Sequence, residues 1–465
     1  MTRVLYQSAG RRRGTAILAC VVAGLAAWAL TGPAAQAADP PFPYVRAKAF
    51  HIPPETTTEE SGYFSLCEGR NGKIYIGSAA YGRNSYLVEF DPATERMRVV
   101  LDTHKLVGLP TTPTGYASQA KLHTRNFVGP SGKIYVGSKQ GYPSAAEREM
   151  QKRGEKLPVY RGGYVMVYDP ATDAAENLGM PMPLDEKQIA AGKTEGQGVI
   201  DVTADEARGL IYVVTCEGQH WMLYDAAKKT YRDLGPILRD QPNTLIDARG
   251  RGTAITADYK VARYDPTTDK VGVDALEVDG RPFVEYLGAN RVHPDWRIAP
   301  DGKTAYLQLL DDLRMFRVDL SGDAGRPVVA RDLGPRIRGK NPDSRGSIGI
   351  GPDGRVYSAI RVDNESGFGS GYLHHLIRHD PTTGAMDDLG VPAVTNPGFF
   401  DYSKGPGKNP DGSPRPVHGF HTLPDGTLTP LHVIMALIVA RDGTIYATTI
   451  YPFTLLKFES VKAVR

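Results

Sequence analysis

The sequence predicts an all-β protein, a seven-bladed β-propeller of four-stranded antiparallel blades, on three observations. A phrase recurs: Asn71-Gly72-Lys73-Ile74-Tyr75 runs on to Asp91-Pro92-Ala93-Thr94, and Ser131-Gly132-Lys133-Ile134-Tyr135 runs on to Asp169-Pro170-Ala171-Thr172. A glycine turn precedes a strand seven times, at Gly72, Gly132, Gly209, Gly252, Gly302, Gly354 and Gly443. A turn led by aspartate follows a strand six times, at Asp91, Asp169, Asp225, Asp265, Asp319 and Asp380. Asp-Gly and Asn-Gly are strong hairpin signals, and Asp-Pro-x-Thr suits a type I turn in which the aspartate caps backbone N–H groups. Short antiparallel sheets repeated at this spacing close into a ring.

Residues 1–37 read as a signal peptide. Arg3 and Arg11 to Arg13 form a basic start, Thr15 to Thr31 an apolar run, and Ala35-Gln36-Ala37 a small-residue cleavage site. The expectation is a secreted or periplasmic protein with no membrane insertion after cleavage. Residues 38–465 then read as a single propeller domain. Val45 to Ile52 is strand-like, and is expected to supply the outer strand that the last unit, Ile434 to Phe458, lacks. Two insertions interrupt the repeat. Residues 143–160 include the helix-permissive Ser144 to Lys156. Residues 391–430, rich in Gly and Pro, are expected to form a loop over one face.

Removing residues 1–37 takes away four arginines and no acids, leaving 51 basic against 52 acidic residues, a net charge of −1. There is no global basic field, which argues against nucleic acid as a partner. Two cysteines remain, Cys67 and Cys216, read as separate buried thiols. A chain of about 430 residues buries a large core without disulfide staples. Walker and dinucleotide-binding loops and a nucleophile elbow in a strand–helix setting are missing.

In a propeller, the start of the first strand and the end of the second open on one face around the axis. Those positions hold His123, Arg125 and Tyr142 in the second unit, with Tyr63 and Tyr81 before them. Later units place Glu217 and His220, then His293, then Arg345 and Arg361, then His432 there. Arginine grips a carboxylate with two parallel hydrogen bonds, and His and Tyr move protons. The pattern therefore suits a ligand carrying carboxylate or sulfate, with Arg125, His220, His293, Arg345, Arg361 and His432 as binding candidates. No cofactor is expected. An alternative is a divalent metal held by His418, His421 and His432 if the loop folds inward.

With an export signal, seven blades and a histidine, His123, opening the second blade, the chain resembles the propeller-type polysaccharide lyases that act on ulvan or on rhamnose–glucuronate linkages. In that family a second histidine follows about twenty residues on, where this chain has Tyr142-Pro143. The family's third-blade tyrosine and arginine are replaced here by Gln197, Glu217 and His220. The resemblance implies β-elimination at a uronic acid of an acidic polysaccharide or oligosaccharide, with His123 and Tyr142 as catalytic base and acid and an arginine to neutralise the carboxylate. The other reading is a propeller that binds a glycan or a protein through the same face without turnover.

Overall fold

A computed structural model describes residues 39–110, 115–239, 243–287, 293–401 and 419–459. The expected signal peptide and His418 lie outside the described residues. Among the described residues the longest α-helix is Ala145–Lys152, and no helix is long and apolar enough to cross a membrane.

The turns form as their residues dictate. In all six repeats the aspartate side chain accepts a hydrogen bond from the backbone N–H two residues on, as Asp91 does from Ala93 at 2.9 Å and Asp169 from Ala171 at 2.9 Å. One turn glycine differs from expectation. Gly252 begins the strand Gly252–Ile255, and Gly250, at φ +77°, makes the left-handed turn. A Cβ at position 252 would also meet the Tyr212 ring at 2.4 Å.

The strands between these turns form antiparallel meanders. Gly198–Asp205, Leu210–Cys216, Trp221–Asp225 and Thr230–Asp233 make one four-stranded sheet. Leu245–Ile246, Gly252–Ile255, Val261–Asp265 and Lys270–Asp274 make the next. Successive side chains of a strand point to opposite faces. Within Ile211-Tyr212-Val213-Val214, Ile211 and Val213 pack with Tyr135 and Val165 of the preceding meander, while Tyr212 and Val214 pack with Ala254 and Ala262 of the following one. Both faces are thus covered, which is why the run is apolar throughout rather than alternating. The outer strand Thr230–Asp233 is mostly exposed and polar.

The innermost strands touch in a cycle. Glu60–Glu68 contacts Phe127–Val128, which contacts Gly198–Asp205, then Leu245–Ile246, Pro294–Ile298, Ile348–Ile350 and Ile434–Val439, which returns to Glu60–Glu68. The protein is therefore an all-β, propeller-like ring. Its hydrogen-bonded sheets are less uniform than the expected set of four-stranded blades. Lys121–Leu122 bonds to both Ile74–Ala79 and Ile134–Lys139, merging two meanders into a nine-stranded sheet. Leu276–Val278 and Arg281–Pro282 extend another to six strands.

The first strand, Tyr44–His51, runs antiparallel to Thr454–Phe458, in register Ala47↔Phe458 to His51↔Thr454. Its other edge pairs parallel with Met386–Val394, so it joins the last two meanders. Residues 391–430 are accordingly not all loop. Val391 to Val394 belong to that strand, and Phe420–Thr422 pairs with Leu428–Pro430 as a hairpin. Gly390 sits at the entry with φ +119°, where a Cβ would lie 2.3 Å from the Pro43 carbonyl oxygen. In the 143–160 insertion, Ser144 and Glu147 cap Ala145–Lys152 reciprocally. Cys67 and Cys216 are both buried and share no disulfide.

Ala47 is fully buried between two partner strands. An unpaired carboxylate there is expected to cost at least ~3 kcal/mol. Ala47→Asp should therefore lower the urea midpoint sharply, and an unchanged midpoint would rule out closure by this strand.

Candidate functional site

His123 follows the short strand Lys121–Leu122, and its backbone N–H donates to the Gly137 carbonyl at 3.2 Å. Its ring stacks on Tyr63, with centroids 4.8 Å apart and planes at 27°, and meets the edge of Phe64 at 5.8 Å. Tyr63 holds a left-handed backbone, φ +66°, inside a register break between Ser61 and Leu66. Such a break re-aims a side chain, and the strained conformation costs on the order of 1–3 kcal/mol. Here it turns the Tyr63 ring onto His123. Together they border a cavity of about 370 Å³ whose wall also includes Lys121, Lys139, Tyr142 and Cys216.

The charges around this cavity are organised by burial. The Lys121 ammonium lies 4.3 Å from the Tyr63 ring centroid, 4.9 Å from that of Tyr81 and 5.8 Å from that of Tyr142. Lys139 donates to the Cys216 sulfur at 3.0 Å and to Glu217 at 3.3 Å. His123 is 5% exposed, and its Nδ1 has no hydrogen-bond partner. Burial holds its pKa well below the ordinary histidine range, and the positive charges of Lys121, Lys139 and Arg125 press it further down. The imidazole is therefore neutral around pH 7. Tyr142 stands at the rim, 60% exposed, with its ring at the edge of Tyr81, 5.5 Å away.

The other expected site residues divide among different places. Arg125 is not among the residues bordering the His123 cavity. Its guanidinium lies 4.2 Å from the Phe64 ring centroid, pairs with Asp295 at 2.8 Å and stands 3.8 Å from Asp201. Arg297 adds a second bond to Asp295 at 2.7 Å. These residues come from three different inner segments, so the cluster ties the ring together near its centre. Burial raises the Asp201 carboxyl to about 6, against the opposing pull of Arg125.

Arg345 and Arg361 do come together, around Asp343, and His432 stands near enough to feel both charges. Arg345 pairs with Asp343 at 3.1 Å and Arg361 at 3.4 Å, and Arg361 also lies over the Tyr372 ring at 4.3 Å. Burial lowers His432 to about 4, with Arg361 and Arg345 adding to the effect. His220 is held by Asp233 at 2.8 Å, and the His293 carbonyl accepts from Leu310 at 3.1 Å; neither borders the His123 cavity. His421 is described, but His418 is not, so the three-histidine metal set falls partly outside the described residues. Among the described residues no group of three His, Cys, Asp or Glu could hold a metal ion.

Sequence reading found His123, Tyr142, Tyr63, Tyr81 and Glu217 but missed Lys121, Lys139 and Cys216. Lys121 had a signal: it stands two residues before His123, so an extended backbone places both on one face. Lys139 and Cys216 had none, because their meeting is a contact between different meanders.

The central charge cluster makes two expectations measurable. Arg125→Met leaves buried carboxylates undercompensated and should destabilise by about 3–5 kcal/mol in urea unfolding. The native state binds the Asp201 proton more tightly than the unfolded chain does, because the folded pKa is raised. The stability this contributes is complete below the unfolded value of about 4 and is lost as pH rises through about 6. Asp201→Asn should therefore gain stability relative to the parent between pH 4 and pH 7, and a constant difference across that window would contradict the assignment.

No protein-family model matches the sequence, and no curated protein does either. Solved structures with a similar course of the chain include the RRP9 WD40 repeats, at TM-score 0.48 and 9% identity, covering 90% of this chain and 100% of that one. The Cps50 (Swd1) β-propeller domain of Myceliophteria thermophila has TM-score 0.48 and 10% identity, covering 87% of this chain and 98% of that one. The extracellular domain of the putative hybrid two-component system BT4673 from B. thetaiotaomicron has TM-score 0.46 and 10% identity, covering 89% of this chain and 39% of that one. Likeness at this level carries no information about activity.

Proposed function

We propose that the chain is an exported, seven-bladed propeller of four-stranded units that takes an acidic glycan into the His123 cavity and cleaves it by β-elimination. The observation that carries the reading is His123: buried, neutral, with an unpartnered Nδ1, beside Lys121 and a rim tyrosine. Tyrosine rings suit the apolar face of a sugar, and Lys121 or Lys139 supplies positive charge for a uronate carboxylate. A carboxylate entering there offsets the cations that add to burial in holding His123 down, and so raises its basicity when substrate is bound. His123 then takes the C5 proton, the electron pair forms the C4–C5 double bond, and the C4–O bond breaks. Tyr142 gives its proton to the departing oxygen. Arg345 and Arg361, which share Asp343 and stand near the neutral His432, offer a second patch with surplus positive charge for a neighbouring acidic sugar.

A second reading, recognition without turnover, is favoured by the exposure of Tyr142, whose ring stands 60% in solvent rather than packed into one geometry. A panel of acidic polysaccharides (ulvan, gum arabic, pectin, glycosaminoglycans) separates the two, because the unsaturated product absorbs in the ultraviolet. With a cleaved substrate in hand, His123→Ala should reduce its formation by about 10²-fold or more, and Tyr142→Phe should slow it while binding persists. Glycan binding with no ultraviolet product from any substrate would select the second reading.

A further inference from the structure

The His123 cavity carries a second chemistry, at Cys216, that the glycan reading does not use. Cys216 ends the strand Leu210–Cys216 and borders the cavity. Its sulfur accepts from the Lys139 ammonium at 3.0 Å and, as a thiol, donates to the Glu217 carboxylate at 3.4 Å. These neighbours act in opposite directions: an ammonium favours thiolate and a carboxylate favours thiol. Cys216 is itself 6% exposed, and burial also favours the thiol, so the thiolate rests on the ammonium, and the exposures of the two charged neighbours set its weight. The Lys139 side chain is 18% exposed and the Glu217 side chain 54%, so water screens the carboxylate more than the ammonium. Burial works against the Lys139 charge, but Cys216 and Glu217 outweigh it and raise its pKa, so the ammonium persists. The remaining ionisable groups on the cavity wall are Lys121, His123, Tyr116, Glu195 and the tyrosines at its mouth. Lys121 adds to the positive side, His123 is neutral, and Glu195 is occupied by Tyr116 at 2.5 Å and Gln140 at 2.9 Å.

A second feature of the cavity points to a small polar visitor. Gln140 and His123 are 3% and 5% exposed, and Gln140 Oε1 and His123 Nδ1 have no hydrogen-bond partners although both residues border the same space. A buried acceptor left unpaired costs about 1–3 kcal/mol, and a molecule with O–H groups entering the cavity relieves that cost. A hydroperoxide has such a group, fits the space, and reacts with thiolates.

We propose that Cys216, held as a thiolate by Lys139, is a site of oxidation by hydroperoxides to sulfenic acid inside the His123 cavity. The thiolate attacks the terminal peroxide oxygen, a sulfur–oxygen bond forms, and the oxygen–oxygen bond breaks. Sulfur is oxidised by two electrons and the peroxide is reduced. The departing alkoxide or hydroxide takes a proton from Lys139 and leaves as alcohol or water, and Lys139 recovers its proton from solvent. This site does not depend on the glycan reading, since no polysaccharide takes part.

Cys67 is the internal reference, because burial, with Glu68 beside it, pushes its thiol well up. The full chain is treated with iodoacetamide near pH 7, and labelling of each cysteine is followed by peptide mass spectrometry. Cys216 should react at least about tenfold faster than Cys67, with a pH profile displaced below that of an ordinary thiol near about 8.5. Lys139→Gln should slow Cys216 labelling about tenfold, and Glu217→Gln should speed it. After hydrogen peroxide, a sulfenic-acid-trapping diketone should label Cys216 and spare Cys67. Equal rates at the two cysteines, a rate indifferent to Lys139→Gln, or no diketone adduct at Cys216 would each overturn the proposal. If Lys139→Gln does not fold, Glu217→Gln decides: faster labelling supports the ion pair and an unchanged rate overturns it.

Discussion

The strand Tyr44–His51 is hydrogen-bonded along both edges, antiparallel to Thr454–Phe458 and parallel to Met386–Val394, and the rest of the ring depends on that pairing. A stack of sheets has two ends, and each end would expose strand edges and an apolar face to water. Here the start of the described chain is laid into its last sheets, so neither end remains. Leu210–Cys216 shows the consequence, since its side chains divide between the meander before it and the one after it. Leu210–Cys216 thus relies on both neighbouring sheets to bury its side chains.

Closing the ring also brings side chains from separate meanders into low-dielectric space, where charge is expensive unless balanced. The molecule handles this in three ways. Around Arg125, Asp201, Asp295 and Arg297, opposite charges are packed against one another, and Asp201 holds its proton more tightly. Around Asp343, two arginines share one carboxylate and His432 stays neutral. Around His123, lysines rest over tyrosine rings or beside a sulfur, and the imidazole gives up its charge. This third arrangement combines a cavity of about 370 Å³, unpartnered buried atoms and tyrosine rings at its wall, which is why the functional readings concentrate there.

Much of the architecture was legible in the chain because it is local. Asp91 and its five counterparts each cap a turn two residues away, and a distance of two residues is visible in sequence. The closing role of Val45 to Ile52 was legible because the last unit has too few residues for an outer strand. The merger of sheets through Lys121–Leu122 was not, since a two-residue strand leaves no periodic trace. At the site, His123 and Tyr142 both border one cavity, as their positions suggested. Arg125, two residues from His123, belongs instead to a buried ion-pair cluster. Alternation places both on one face, but the backbone leaves the regular strand after Leu122, and that departure sends the guanidinium onto Phe64.

The repeat, its turns, the all-β class and the kinds of polar residue available near the axis were readable along the chain, because each follows from interactions within a few residues. Tertiary structure decided which of those polar groups are spent on one another and which still face open space. Arg125 is paired with Asp295 from a unit far along the chain, His123 is held neutral by burial with lysines on two different strands adding to it, and Cys216 meets Lys139 across a boundary between sheets. Such outcomes depend on distance and burial after the ring has closed, and electrostatic energy is set by those two quantities rather than by separation along the chain.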